Sequence, residues 1–271
     1  MERPTALITG ATAGIGHEFA RVLAGRGHDL VLVARDLDRL TTVAEALRRA
    51  HGVRVEVLPA DLSERDQVER VADRMRRPDQ PVEVLVNNAG YGLRRHFVTG
   101  EIAAEEKVLA VLVTAVMVLS RAAVDGMVAR RRGTIVNVSS VASFISTTSY
   151  AAAKSWVTVF TSALDVELAG TGVTATAVCP GFVHTEFHQR MGVRGRVAPE
   201  WAMLSAERVV AEGLADAARG RVVSIPSRRY SALVALLRHL PLRAAARVNR
   251  RLGRSPRWEQ VPATGPSDGA A

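Results

Sequence analysis

The stretch Thr9-Gly10-Ala11-Thr12-Ala13-Gly14-Ile15-Gly16 joins a short apolar run, Thr5–Thr9, to an amphipathic segment, Gly14–Gly25. This pattern predicts a strand, a glycine-rich turn and a helix. Gly10 would permit the tight turn, and the other two glycines would leave room for a pyrophosphate at the amino end of the helix. A glycine cluster alone is often only a turn. Its place between the first strand and the first helix nevertheless predicts a dinucleotide site.

The rest of the chain repeats this alternation of apolar runs and amphipathic stretches. We predict further strands over Asp29–Ala34, Val53–Leu58, Val82–Val86, Thr134–Val138, Val173–Val178 and Val222–Ile225. We predict further helices over Asp36–Ala50, Ser63–Arg76, Glu101–Arg131, Ser149–Ala169 and Ser205–Ala218. Ser63 and Asp66 predict a start like a capping box for the third helix. The alternation predicts an α/β fold, a doubly wound (Rossmann) mostly parallel seven-stranded sheet with helices on both faces, in a single domain over residues 1–226.

The excess of basic residues belongs to the C-terminal segment. The chain has 36 Lys and Arg against 27 Asp and Glu, and between Ala217 and Trp258 it has 11 arginines and no acid. We therefore predict a basic helical extension over residues 227–257 and a disordered tail over 258–271. Such a block can meet an anionic partner, or it can be a solvated helix face, and the sequence leaves both readings open.

This extension is also amphipathic. Leu233, Leu236, Leu237 and Leu240 recur at helical spacing before Pro241, and arginines follow it. A basic amphipathic segment can lie on an anionic membrane, or it can cover an apolar pocket. Nucleic acid is a weaker alternative because only the basic tail suggests it.

Cysteine content and apolar run length exclude several classes of protein. Cys179 is the single cysteine, so there is no intrachain disulfide, and we expect no metal site. The longest apolar stretch, Val108–Leu119, suits a buried helix better than a bilayer span. Because Met1–Pro4 leaves no room for a signal peptide, we expect a cytoplasmic protein.

The end of the second strand reads Val33-Ala34-Arg35-Asp36. An acid at this point holds the ribose 2′-hydroxyl of NAD, whereas an arginine accommodates the 2′-phosphate of NADP. Asp36 can instead cap the next helix, which would remove it as a ribose ligand. The sequence therefore favours NADP (NADPH) and leaves NAD possible.

A tyrosine and a lysine, Tyr150 and Lys154, are four residues apart on a predicted helix and share one of its faces. A lysine ammonium beside a phenol favours the phenolate, so we expect a lowered pKa for Tyr150. The phenol would then exchange a proton with a carbonyl or alcohol oxygen. Ser139 and Ser140 follow the strand Thr134–Val138, at the sheet edge where open α/β folds bind ligands. Asn87-Asn88-Ala89-Gly90 ends another strand at that edge.

Together these motifs resemble the short-chain dehydrogenase/reductase superfamily, in its compact single-domain branch. The resemblance covers residues 4–226 and rests on Thr9–Gly16, Asp61-Leu62, Asn87–Gly90, Ser139-Ser140, Tyr150–Lys154 and Pro180-Gly181 followed by Thr185. It implies that Tyr150 is the acid/base, that Lys154 binds the nicotinamide ribose and that Ser140 polarises the carbonyl. The cofactor-binding residues that it implies are Gly10, Thr12, Gly14, Ile15, Gly16, Arg35, Asp61, Leu62, Asn88, Ala89, Gly90, Tyr150, Lys154, Pro180, Gly181, Val183 and Thr185.

Two departures from the family pattern stand out. The family usually has an asparagine of a proton relay where this chain has Leu112. The stretch from Ser140 to Tyr150 is also shorter than usual, which leaves Ser139 and Ser143 as alternatives for the role of Ser140. These departures keep open a second reading, a catalytically silent or slow dinucleotide-binding sensor.

The resemblance also bears on partners and substrate. The family often forms homodimers or homotetramers, and the nearly all-apolar stretch Val108–Leu119 fits a helix buried on two sides. The extended basic C-terminus is loosely similar to that of long-chain 3-oxoacyl reductases, which implies an apolar, acyl-chain or steroid-like carbonyl substrate. Phe182–Leu204 would cover that substrate.

Overall fold

The computed structural model describes residues 3–93, 97–145, 147–185 and 198–238. Seven strands form one parallel sheet in the order β3-β2-β1-β4-β5-β6-β7. The strands are β1 (Thr5–Thr9), β2 (Asp29–Ala34), β3 (Val55–Pro59), β4 (Val82–Asn87), β5 (Gly133–Val138), β6 (Val173–Val178) and β7 (Val223–Ser224). The order reverses between β1 and β4, which is the point where open α/β sheets bind ligands.

Helices cover both faces of this sheet. They are α1 (Gly14–Gly25), α2 (Leu37–His51), α3 (Arg65–Arg76), α4 (Ile102–Leu109), α5 (Ala115–Ala129), α6 (Ser149–Glu167), α7 (Ala206–Ala218) and α8 (Arg228–Arg238). Two large clusters of buried apolar side chains lie on opposite faces of the sheet, because strands buried on both sides present apolar residues in both directions. The predicted doubly wound α/β class is confirmed.

Three predicted elements differ from the structure. The third helix begins after Glu64, and Ser63 donates to the Asp61 carboxylate instead of capping the helix, so the capping-box prediction is wrong. The long fourth helix contains a π-helical turn, Ala110–Thr114. The last strand is two residues long because β7 lies at the sheet edge and pairs only with the end of β6.

The continuous helical segment Ile102–Ala129 is long and apolar enough to cross a membrane by length and composition, with a mean hydropathy of 2.0 in its most apolar window. More than half of that window is buried inside the molecule, 56%. The inner face of α5 joins the core cluster formed with α3, β4 and β5. This burial is typical of the core helix of an α/β domain.

The C-terminal extension is described only as far as α8. The predicted domain boundary at residue 226 stays a prediction, as does the division at residue 257. The arginine block after Pro241 and the tail over residues 258–271 lie outside the described residues, and so does the stretch 186–197 of the predicted substrate cover.

Candidate active site

The turn after β1 has the backbone that the glycines predict. Gly10 has a φ of +67°, and α1 begins at Gly14 after Ala13, whose side chain cannot cap the helix. The first N–H groups of α1 therefore have no partner within the helix, as a phosphate site requires. Gly16 also has a packing role, and its predicted role at the pyrophosphate stays a prediction. A Cβ at Gly16 would lie 2.3 Å from both Asn88 Nδ2 and Gly10 O, so its missing side chain allows the helix to contact the neighbouring strand.

The end of β4 is bound directly to this turn. Asn88 Nδ2 donates to Thr9 O at 2.9 Å, while Thr9 Oγ1 accepts from the backbone N–H groups of Asn88 (2.9 Å) and Ala89 (3.0 Å). These bonds explain why the segment Asn87–Gly90 and the glycine turn lie together. Sequence reasoning did not single out the Thr9 hydroxyl that joins them.

The end of β2 carries an exposed positive charge. Asp36 accepts a hydrogen bond from Arg39 N at 3.0 Å and caps α2, which confirms the predicted cap. The Arg35 side chain is 70% exposed, and its Nη1 lies 3.9 Å from Asp61 Oδ2. Burial alone would raise the pKa of Asp61, but hydrogen bonds from Ser63 and the charge of Arg35 outweigh burial and lower it.

The predicted adenine contact Leu62 has its side chain in the core, 6% exposed. Tyr91 also lies in this region, near Arg35 and Asp61, and no motif in the sequence singles it out. Burial raises the pKa of its phenol, and the charge of Arg35 opposes that rise.

Tyr150 lies at the first turn of α6, whose cap is the Thr148 side chain. Its phenol is half-buried and hydrogen-bonded to Ser140. Burial raises the pKa of Tyr150, and the bond with Ser140 offsets only part of this rise. The predicted lowering of the Tyr150 pKa is therefore wrong for the structure: burial raises this pKa, and Lys154 Nζ lies 5.8 Å from the ring centroid.

Lys154 lies one helical turn further along α6 and is 5% exposed. Its Nζ donates to Val138 O at 2.7 Å, at the carboxyl end of β5. Burial lowers the pKa of Lys154 to about 8. A Cβ at Gly90 would lie 3.8 Å from Nζ, so the amine reaches the end of β4 as well.

Three serines were candidates for the role beside Tyr150, and their contacts differ. Ser139 is buried, and its Oγ contacts Lys154 O (2.8 Å) and Thr158 Oγ1 (2.7 Å) inside the fold. Ser143 Oγ is buried and contacts the Cys179 thiol. Ser140 alone of the three contacts the phenol, while its Oγ also accepts from Ala142 N at 3.1 Å.

Leu112 lies in the π-helical turn and is fully buried. It forms a small cluster with Val108 and Ala153, against which Tyr150 also packs. A Cβ at Gly90 would lie 2.6 Å from Leu112 Cδ2. An apolar side chain therefore lies beside Gly90, which Lys154 Nζ also approaches.

The residues after β6 complete the site edge, which is the sheet edge where the predicted site residues lie. Pro180 O accepts from Val141 N at 2.9 Å, directly after Ser140. Val183 pairs with Leu204 in a parallel bridge, and Thr185 lies against the glycine turn, where a Cβ at Gly14 would be 2.9 Å from Thr185 Cγ2. The structure therefore brings the predicted residues of β1, β4, β5, α6 and the β6 end to one edge of the sheet.

Comparisons with known proteins agree with this geometry. Residues 4–193 match the family model described as short chain dehydrogenase. The ketoacyl reductase HetN of a Nostoc species is 31% identical over 227 residues, which are 82% of this chain and 77% of that protein.

Solved structures are similar over nearly the whole chain. A short-chain dehydrogenase from Sphingobium yanoikuyae, in complex with NADPH, is 33% identical with a TM-score of 0.79, and the match covers 98% of this chain and 99% of that one. An alcohol dehydrogenase from Comamonas testosteroni that is specific for bulky-bulky ketones is 30% identical with a TM-score of 0.75, covering 98% of both chains. The chain belongs to the short-chain dehydrogenase/reductase family of oxidoreductases.

Proposed function

We propose that the protein is an NADP(H)-dependent oxidoreductase that interconverts a carbonyl and a secondary alcohol on an apolar substrate, with Tyr150 as acid/base. The observation that carries this proposal is the meeting of Ser140, Tyr150 and Lys154 beside the glycine turn, at the switch point of the sheet. Ser140 and Tyr150 present two hydroxyl groups, one of which can donate to a carbonyl oxygen while the other gives up a proton.

The residues of this chain suit reduction. A bound nicotinamide supplies or accepts the hydride. The raised pKa of Tyr150 keeps the phenol protonated at neutral pH, as an acid that protonates a carbonyl oxygen must be. Ser140 orients that oxygen, and Lys154 holds its ammonium against the end of β5.

The exposed charge of Arg35 supports NADP(H) over NAD(H). Guanidinium groups bind phosphate in a bidentate manner, and Asp36 is occupied as a helix cap. The NADPH complex of the Sphingobium relative supports the same cofactor. The glycine turn, the end of β4 and Thr185 lie together, which supports their assignment by resemblance to the pyrophosphate and the nicotinamide.

An apolar substrate is supported by the residues around the opening. Phe182 and Trp201 are exposed beside the site edge. The ketoacyl and bulky-ketone names of two relatives point the same way. We propose acyl-chain or bulky cyclic ketones as the substrate class.

The test follows NADPH binding and consumption with the purified protein. We expect NADPH to bind more tightly than NADH and to be consumed with 3-oxoacyl thioesters and ketones of increasing length. Binding without turnover across the series would favour the silent sensor that Leu112 suggests. Binding of neither nucleotide would overturn the proposal.

We also propose that the protein is a cytoplasmic homodimer or homotetramer. Exposed apolar side chains support an interface on α4, α5 and α6, namely Ile102, Leu109, Met117, Val159 and Val166. Light scattering that shows a monomer at micromolar concentration would contradict this.

Peripheral membrane contact through the C-terminal segment is a further part of the proposal. Leu233 and Leu236 on α8 are exposed. Sedimentation with anionic and neutral vesicles tests it, and absence from both would end it.

A further inference from the structure

Tyr230 connects the C-terminal helix to the site. It lies in the first turn of α8 and is 9% exposed. Its Oη accepts from Phe182 N at 3.2 Å and donates to Ala202 O at 2.8 Å. One hydroxyl therefore bonds two backbone groups that are twenty residues apart in sequence.

These two groups belong to two segments that we call the stems: Phe182–Thr185, and Glu200–Leu204, which begins with a 3-10 helical turn over Glu200–Ala202. A single parallel bridge, Val183 to Leu204, pairs them. Within the stems, Leu204 N donates to Phe182 O at 2.8 Å and His184 N to Leu204 O at 3.0 Å. Tyr230 adds bonds from a different element, so α8 fixes the stems to the body of the protein.

The ring of Tyr230 also fills a place that only glycine leaves open. A Cβ at Gly181 would lie 2.1 Å from a ring carbon of Tyr230. Gly181 follows Pro180, whose carbonyl accepts from Val141 N next to Ser140. The ring thus supports the turn that leads from β6 to the first stem and that accepts a hydrogen bond from Val141 N.

The far side of the first stem reaches the glycine turn. Thr185 contacts Gly14 at the start of α1, and Phe182 presents an exposed apolar ring. A shift of the stems would therefore change both the substrate opening and the cofactor side of the site.

We propose that Tyr230 is a positioning residue for the substrate: it holds the two stems at a fixed separation and so makes α8 a wall of the substrate site. This inference rests on the proposed function, because it names the residue that sets the shape of that same site.

The test compares Tyr230→Phe with Ser231→Ala. Phenylalanine keeps the ring against Gly181 and removes both hydroxyl bonds, whereas Ser231→Ala removes a bond from the same helix to Ile225 O at 3.0 Å, away from the stems. The first readout is amide hydrogen exchange at Phe182, which does not depend on activity. The second is kcat and KM for a series of ketones of increasing size.

In Tyr230→Phe we expect exchange at Phe182 to rise about tenfold and KM for the larger ketones to rise about threefold to tenfold, which is within the net contribution of the two hydrogen bonds lost. We expect kcat to stay within about twofold. Ser231→Ala should change neither readout. A lower melting temperature with unchanged exchange or unchanged KM would overturn the proposal, because a merely structural residue behaves in that way.

A second variant, Gly181→Ala, keeps the hydroxyl but displaces the ring that carries it, and we expect it to raise KM at least as much. If the wild-type protein reduces no ketone, the proposed function fails. Exchange at Phe182 then still decides whether Tyr230 fixes the stems.

Discussion

The two halves of the site differ in how far water reaches their charged groups. In the proposed catalytic half, which we call the catalytic half and which Ser140, Tyr150 and Lys154 form, the lysine is 5% exposed and the phenol half-buried. In the proposed cofactor-selecting half, at the end of β2, the Arg35 side chain is 70% exposed and that of Asp61, whose carboxylate lies 3.9 Å away, is 33% exposed. The catalytic half therefore has shifted pKa values that result mainly from burial, and the other half acts through charges at the surface.

The difference in exposure predicts which of these groups are held in one geometry and which interact only weakly. Desolvated groups interact strongly and are held in one geometry by packing, so their removal costs much. Exposed charges are screened by salt within about 10 Å and interact weakly until a ligand excludes water. The following predictions test that contrast, beginning with the largest effect.

Replacing Tyr150 by phenylalanine removes the proposed proton donor while keeping the ring. We expect kcat for ketone reduction to fall about 10²–10⁴-fold, with the Kd for NADPH unchanged within about twofold. Steady-state kinetics and fluorescence titration measure the two effects. Tyr91→Phe is a matched control, since it also removes one half-buried phenol, and it should retain turnover. Full activity in Tyr150→Phe would refute the assignment.

Replacing Lys154 by methionine keeps the length of the side chain and removes its charge. We expect kcat/KM to fall about 10²-fold, the usual cost of removing one oriented donor in a water-excluded site. Arg121→Ala, which removes an exposed cation on α5 and its bond to Asp125, should leave kcat/KM unchanged.

The same lysine gives the stability a pH dependence. The folded pKa is about 8, against 10.5 for the unfolded chain, so the unfolded state binds the proton more tightly between these values. The free energy of unfolding contributed by Lys154 should therefore rise as the pH increases from about 8 to about 10.5. Urea melts across this window should show the slope in the wild type and its loss in Lys154→Met.

Replacing Arg35 by alanine tests the exposed half. We expect the Kd for NADPH to rise about tenfold, that for NADH to stay constant and the NADPH effect to shrink in high salt. Arg39→Ala, which removes an arginine in the first turn of α2, serves as the control. Equal losses of affinity for NADPH and NADH would show that Arg35 does not bind the 2′-phosphate.

Replacing Leu112 by asparagine gives the smallest kinetic effect that we predict, although the position is fully buried. A polar group there can hydrogen-bond near Lys154, so we expect kcat to rise about threefold with the NADPH affinity unchanged. Leu112→Ala should lower the free energy of unfolding by about 2–5 kcal/mol without raising kcat. A fall of kcat in Leu112→Asn would count against an interrupted proton path.

The strands of the sheet and the chemistry of its local motifs can be predicted from the amino-acid sequence. The periodicity of the apolar residues predicted the seven strands, and the positive φ that glycine permits predicted the turn at Gly10. Tyr150 and Lys154 lie on one helix face because they are four residues apart. The helix cap at Asp36 could also be predicted from the sequence, because capping involves residues that are close in sequence.

The contacts that these residues make with distant parts of the chain could be found only in the tertiary structure. It gave Gly16 a packing role, reversed the expected direction of the Tyr150 pKa shift and placed Leu112 beside Gly90. It also joined Tyr230 to Phe182, 48 residues away. Periodicity records which face of an element a residue occupies, but it does not record which distant residue covers that face. Burial and desolvation, which set the pKa values of the catalytic half, arise only when those distant segments come together.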